Sequence, residues 1–274
     1  RWNRYVLEGV GDTEDVDVEM TDSLGKSSKK PPPFSLVDTI HSSEHAFTRP
    51  DSAPKHKFEI TLEPASYTDE KFELYRHYQR NIHKEEYKEH RPSGFRRFLV
   101  DSPLQASPIA YERDPPDHLP KTYGSYHQLY RLDGELIAIG VLDILPSCIS
   151  SVYLMYNNKW EKFSLGKVSA LREAALAREM YECGAKDVKY LYMGYYIHSC
   201  QKMRYKGEYS PSFLLDPEEY SWYPLKDCTS LLDSHRYACF SHPEHSVKDP
   251  GIPPECEFSI FVNFTLYFTK TASS

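Results

Sequence analysis

Residues 151–206 hold the densest set of positions with chemical potential in this 274-residue chain. An apolar, aromatic run leads into Ser164-Leu165-Gly166-Lys167. An alanine-rich stretch follows to about Cys183, then a second aromatic run and the basic, tyrosine-rich segment from His198 to Lys206. A strand, a small-residue loop and a helix N-terminus leave backbone N–H groups free to face a phosphate or a carbonyl oxygen. Taken alone, Gly166 is explained as well by close packing of a helix on a sheet.

Other candidates carry a plain reading beside the functional one. His41-Ser42-Ser43-Glu44-His45 matches a zinc-peptidase pattern, but that chemistry needs both histidines on one helix face and the surrounding residues lack helical periodicity. In His242-Pro243-Glu244-His245 the proline interrupts any helix. No metal site is expected. Tyr75, Gln79 and His83 recur at i, i+4 and i+8, with Arg76 and Arg80 as an adjacent stripe. They form either a half-buried aromatic edge or a pocket wall with arginine to grip a carboxylate. Arg91, Arg96 and Arg97 interleave with Phe95 and Phe98; His198, Lys202, Arg204 and Lys206 interleave with Tyr195, Tyr196 and Tyr205. Cations among stacking rings suit single-stranded or structured RNA ends.

The elements that must position these groups read as follows. Residues 8–55, with seven acids between Glu8 and Asp22 and then Pro31-Pro32-Pro33, have few apolar groups to offset ordering entropy. The expected division is therefore a mostly disordered acidic, Pro/Ser-containing linker over 1–56, a folded domain over 57–249 and a tail over 250–274. Lys57–Glu63 alternates as a strand. Thr68 caps a helix reaching to near Glu89, and the proline-rich stretch from Asp101 to Thr122 is a loop. Tyr126–Leu132 and Glu135–Leu145 flank Asp133-Gly134, a favoured hairpin turn. A third strand spans Ile149–Tyr156. A helix capped by Ser164 ends at Gly184, and another strand spans Val188–Met193. The order predicts an α/β (α+β) fold, a mixed sheet with packed helices.

Charge points the same way. Net charge is −7, yet residues 67–208 carry 21 basic and 19 acidic side chains while both ends are acidic. A phosphate-rich partner would meet the middle. The six cysteines lack the close pairs of metal sites and are read as reduced intracellular thiols. No apolar stretch is long enough for a membrane span, and no membrane partner is expected.

Long blocks then become recognisable: ELYRHYQRNIHKE at 73–85, GFRRFLVDSPL at 94–104, YGSYHQLYRLDGELIAIGVLDILP at 123–146, YLMYNNKWEKFSLGKVSALRE at 153–173 and LYMGYYIHSCQKMRYKGEYSPSFLL at 191–215. Over roughly residues 65–240 the chain resembles the C-terminal region of eukaryotic arginyl-tRNA–protein transferases. The resemblance implies an N-acetyltransferase-like fold and transfer of arginine from Arg-tRNA to an N-terminal Asp or Glu, marking the acceptor for ubiquitin-dependent degradation. It implies a cytoplasmic or nuclear setting. The family's N-terminal cysteine-rich region has no counterpart here, so no cofactor is expected in this chain; the partners are Arg-tRNA and proteins with acidic N-termini. The sequence assigns no oligomeric state.

On that basis Tyr78, Gln79 and His83 are expected to form the acceptor pocket, with Arg76 or Arg97 pairing its carboxylate. Ser164, Gly166, Ser169 and Arg172 would border the aminoacyl end, Glu173 would serve as base, and Lys202, Arg204 and Lys206 would contact RNA phosphate. Two other classes compete. An acetyl-CoA N-acetyltransferase usually has a glycine-richer pyrophosphate loop than Ser-Leu-Gly-Lys. The second is an inactive fragment that binds tRNA or protein.

Overall fold

Helices α1 (Trp2–Glu8), α2 (Leu36–His41), α3 (Asp69–Tyr78), α4 (Pro92–Leu99), α5 (Leu165–Cys183), α6 (Gln201–Arg204) and α7 (Leu225–Ser234) surround one mixed sheet. Its strands are β1 (Phe58–Pro64), β2 (Ser107–Pro108), β3 (Thr122–Leu132), β4 (Glu135–Ile144), β5 (Cys148–Tyr156), β6 (Tyr190–Tyr196), β7 (Ser212–Leu215), β8 (Trp222–Pro224) and β9 (Thr265–Lys270). The computed structural model describes residues 1–10, 34–49, 52–84 and 90–248, and the backbone alone of Gln201, Lys202 and 265–270. The strand order is β1-β3-β4-β5-β6-β9-β7-β8, with β2 at the start of β3. β5 and β6 pair in parallel, and α5 makes the crossover between them.

Local sequence explains the elements that hold the site. Asp133 and Gly134 take φ of 51° and 86°, the left-handed pair a tight two-residue hairpin needs. Along β4 both faces are apolar, because both are covered. Ile139 and Val141 pack with Phe72, Tyr75 and Phe95 of α3 and α4, while Leu142 and Ile144 pack with Leu176 and Met180 of α5. Thr68 accepts a hydrogen bond from the Lys71 N–H at 3.2 Å and starts α3 as expected. Gly184, φ 120°, stops α5; a Cβ there would lie 2.2 Å from the Glu112 nitrogen.

Three expectations are corrected. The helix capped by Thr68 does not run to Glu89: it loosens into a π-turn over Gln79–His83 and stops at left-handed Lys84, with 85–89 outside the described residues. Pro92 does not merely end a helix; it opens α4 at the first-turn position that tolerates proline. The stretch 1–56 is not uniformly a disordered arm. Trp2 packs edge-on against Phe58, Trp160 and Phe163 at 5.0–6.0 Å, and α2 lies on α5. The composition argument missed both because the partners of these few apolar and ionic groups lie more than fifty residues away. Residues 11–33 and 50–51 fall outside the described residues. So do 249–264 and 271–274 of the tail; β9 itself lies between β6 and β7, pairing antiparallel with each.

Buried polar groups fix α3 on the sheet. The Lys71 ammonium, almost fully buried, donates to Glu63 Oε1 (2.6 Å), Ser66 Oγ (2.7 Å) and His127 Nδ1 (3.1 Å). His127 donates Nε2–H to the Leu99 carbonyl at 2.7 Å, and burial lowers its pKa. With every donor and acceptor matched, the cluster ties α3, α4, β1 and β3 into one unit.

Candidate active site

β5 and β6 pair only between Cys148–Ser150 and Tyr190–Tyr192, although they extend to Tyr156 and Tyr196. Past the third pair the strands part, and the N-terminus of α5 stands over the opening. Ser164 adopts φ 54°, ψ 51° between the 3-10 turn Asn158–Phe163 and α5, and its side chain makes no capping hydrogen bond. This corrects the expectation that Ser164 caps the helix; its carbonyl instead accepts from Lys167 N at 2.8 Å and Val168 N at 3.3 Å. Helix geometry leaves the N–H groups of Leu165 and Gly166 without an intrahelical acceptor, at the positive end of a 19-residue dipole. A Cβ on Gly166 would meet only Leu154 Cδ2, at 3.6 Å, an ordinary contact. Close packing on the sheet therefore does not explain that glycine.

One wall of the opening is aromatic. The Tyr78 ring lies 5.2 Å from Tyr156, 6.1 Å from Tyr153 and 5.2 Å from His83. Tyr153 donates to Gln79 Oε1 at 3.1 Å and stands 3.5 Å from His83 Nε2, while Gln79 Nε2 donates to Tyr75. The sequence-predicted trio Tyr78, Gln79 and His83 is thus brought together, joined by Tyr153 and Tyr156, which sequence reasoning missed. Burial pushes the Tyr78 phenol up to about 12, with Tyr156, Tyr205 and Glu161 adding to the shift. Tyr205 packs against the core on the α5 side, and burial, with Glu173 adding to it, raises its pKa. Arg76 pairs with Glu73 at 2.7 Å on the surface of α3. Arg97 is exposed on α4, beside Phe98, whose ring meets Tyr153 at 5.2 Å.

Below the opening runs a buried polar chain. Gln128 donates to the Tyr130 hydroxyl, Tyr130 to Ser169 Oγ at 3.1 Å, and Ser169 to Glu173 Oε1 at 2.6 Å. Gly140 makes room for it: a Cβ there would come 3.3 Å from Ser169 Oγ. Burial raises the Glu173 pKa, partly offset by hydrogen bonds from Ser169 and Ser151. Glu173 is sealed under α5, so it reaches the opening only through Ser169 and its neighbours. Arg172 faces away from the opening altogether. Its Nε lies 3.0 Å from Glu44 Oε1 and its Nη1 3.4 Å from Glu179 Oε2, all three groups buried or nearly so.

The basic segment forms the far rim. Lys167 and Glu208 bridge across it at 2.5 Å. Lys206 donates to the Tyr195 carbonyl at 2.6 Å, and burial lowers its pKa to about 8. Arg204 is exposed; the side chain of Lys202 lies outside the described residues. His198 is held by Tyr196 at 3.0 Å and by Asp233 of α7 at 2.7 Å.

Residues 70–216 match the family model described as "Arginine-tRNA-protein transferase, C terminus". The chain belongs to this family. Arginyl-tRNA–protein transferase 1 of Arabidopsis thaliana is 43% identical over 210 residues, covering 75% of this chain and 32% of that protein. The Drosophila melanogaster protein of the same name is 47% identical over 173 residues, 61% of this chain and 33% of its own length. That of Saccharomyces cerevisiae is 34% identical over 201 residues, 69% and 38%. The chain spans about a third of the length of the curated relatives it matches. The family match contains the β5–α5–β6 opening, the Tyr78 wall and the Lys206 rim, so the elements that build the candidate site are those that define the family.

Proposed function

We propose that this chain carries the transfer site of an arginyltransferase. It moves arginine from Arg-tRNA to the N-terminal Asp or Glu of acceptor proteins, marking them for ubiquitin-dependent degradation in the cytoplasm and nucleus. The observation that supports this reading most strongly is the pair of N–H groups at Leu165 and Gly166 that helix geometry leaves without an intrahelical acceptor, over a strand opening inside the family-matched region.

The chemistry asks little of a base. An aminoacyl ester is already activated, and an acceptor α-amine, with an ordinary pKa of about 7.7–8.0, is substantially neutral near physiological pH. Its nitrogen attacks the ester carbonyl carbon. The C–N bond forms, charge gathers on the carbonyl oxygen, and the bond to the ribose oxygen breaks, the amine proton passing to that leaving oxygen. The protein's tasks are positioning and stabilising the developing oxyanion. The Leu165 and Gly166 N–H groups point to the second task. The Tyr78, Gln79, His83 and Tyr153 wall lines the acceptor side, and Arg97, exposed on α4 beside Phe98, supplies a cation for an acidic side chain. Arg204, Lys202 and Lys206 take the RNA end.

Labelled arginine from Arg-tRNA enters an Asp- or Glu-initiated peptide and not a Gly-initiated one, in the chain alone or in the chain joined to the remaining N-terminal length of a relative. Saturable acetyl-CoA binding, or tRNA binding with no incorporation in either form, contradicts the proposal. The rim makes a separate prediction. Lys206 carries its charge below about pH 8 and sheds it above. RNA affinity therefore weakens as pH rises through that value, and Lys206→Arg flattens the profile. Arg204→Ala reduces the salt slope of RNA binding by about one; unchanged slopes and pH profiles would remove both residues from the RNA surface.

A further inference from the structure

A second set of chemistry-bearing side chains converges on the side of α5 away from the opening. His41, at the end of α2, places Nε2 2.9 Å from Glu179 Oε1. His118, from the proline-rich loop before β3, places its Nε2 2.8 Å from the same oxygen. These residues lie 138 and 61 positions from Glu179. The three donor atoms all fall within 4.8 Å of one another. His41 is buried, and Glu179, like Val37, lines two neighbouring cavities, one of about 330 Å³ that His118 also lines and one of about 670 Å³ that His41 also lines.

The surroundings are those of a ligand set more than of a simple ion pair. Phe47 stacks on the His41 ring at 3.7 Å and meets the His118 ring edge-on at 5.1 Å, fixing both imidazole planes. The other nitrogen of His41, Nδ1, sits 3.1 Å from Glu44 Oε2. A carboxylate on the far nitrogen of an imidazole fixes its tautomer and raises its basicity as a metal ligand. Arg172 lies 3.0 Å from Glu44 Oε1 and 3.4 Å from Glu179 Oε2, one guanidinium against two carboxylates. That leaves one net negative charge and two imidazoles for a cation. Two histidines and one glutamate, with an adjoining cavity to admit water, are a donor set that suits Zn²⁺ and related divalent transition metals.

We propose that His41 Nε2, His118 Nε2 and Glu179 Oε1 form a binding site for a divalent transition metal of the zinc class, completed by water, which clips α2 and the proline-rich loop to α5. Bond lengths of about 2.0–2.2 Å to such a metal put tetrahedral donors roughly 3.3 Å apart, so each imidazole nitrogen needs to move off Glu179 Oε1 by only about half an ångström, from 2.9 Å and 2.8 Å. The site does not use the His-x-x-Glu-His spacing: His45 is exposed, and Glu44 stands behind His41 as a charge partner, its Oε2 3.1 Å from Nδ1. It departs from the sequence expectation of no metal because two of its three ligands lie far from that motif. It is independent of the proposed transfer reaction.

The test is a Zn²⁺ titration of the chain, freed of any affinity tag, against a chromophoric chelator, repeated for His118→Ala, Glu179→Gln and His245→Ala. His245 belongs to the other described group of metal-capable residues, Glu218, Cys239 and His245. The expected result is one Zn²⁺ per chain, an affinity reduced at least about tenfold by His118→Ala or Glu179→Gln, and no change with His245→Ala. Zn²⁺ also raises the melting temperature of the parent chain and of His245→Ala but not of His118→Ala; His118 is partly exposed, so its truncation leaves the core intact. Absence of binding, an affinity unchanged in His118→Ala, or a loss that follows His245→Ala instead overturns the proposal.

Discussion

Gly166→Pro lowers arginine transfer by about 10²- to 10³-fold, the effect of deleting one preorganised oxyanion donor, whereas Gly166→Ala costs less than about tenfold in the same currency. The pair separates two explanations. Alanine keeps the N–H and adds a methyl that meets only Leu154 at 3.6 Å. Proline removes the N–H in the first helical turn, where no intrahelical hydrogen bond is lost. If the glycine served only to let a bulky group approach, alanine would be nearly as damaging as proline. If it served only the helix–sheet contact, both would lower the melting temperature and leave turnover per folded molecule intact. Single-turnover rates from Arg-tRNA, read beside thermal melts, distinguish the three cases.

The second large effect is on stability. Arg172→Ala leaves Glu44 and Glu179 buried without their shared guanidinium, and removing one partner of a buried ion pair costs about 3–5 kcal/mol. Chemical denaturation of Arg172→Ala should show a loss of that order, with kcat/KM per folded molecule close to that of the parent. The opposite pattern, unchanged stability with lost transfer, would put Arg172 back at the aminoacyl end, where sequence alone placed it. The distinction is geometric: Ser169 and Arg172 are three residues apart on α5, but Ser169 joins the polar chain toward the sheet while Arg172 turns toward α2.

Much of the fold was legible because its signals are local. The Asp133-Gly134 turn, the Thr68 cap, the Gly184 stop and the two-sided apolar pattern of β4 each dictate structure within a few residues. The opening between β5 and β6 was legible only as a strand–loop–helix; that the strands pair over three residues and then part is a matter of tertiary register. Gln79 and His83 share one stretch of helix and turn, so periodicity grouped them with Tyr75; Tyr78 joined them through the resemblance. Tyr153 and Tyr156 come from another element, and among 22 tyrosines nothing local marked them. The docking of α1 and α2 was hidden for the same reason: Trp2 finds Trp160, and His41 finds Glu179, only across the folded chain.

The central claim is that the aminoacyl ester sits at the α5 N-terminus, between the Tyr78 wall and the Lys206 rim. Photo-crosslinking from the 3′ end of an Arg-tRNA analogue, with a stable amide in place of the ester, tests it most directly. Mass-spectrometric mapping should find the attachment within 153–156, 164–167 or 205–208, and Gly166→Pro should leave the position of the crosslink unchanged while abolishing most turnover from the natural ester. Crosslinks confined to α2, α7 or the proline-rich loop before β3 would contradict the account.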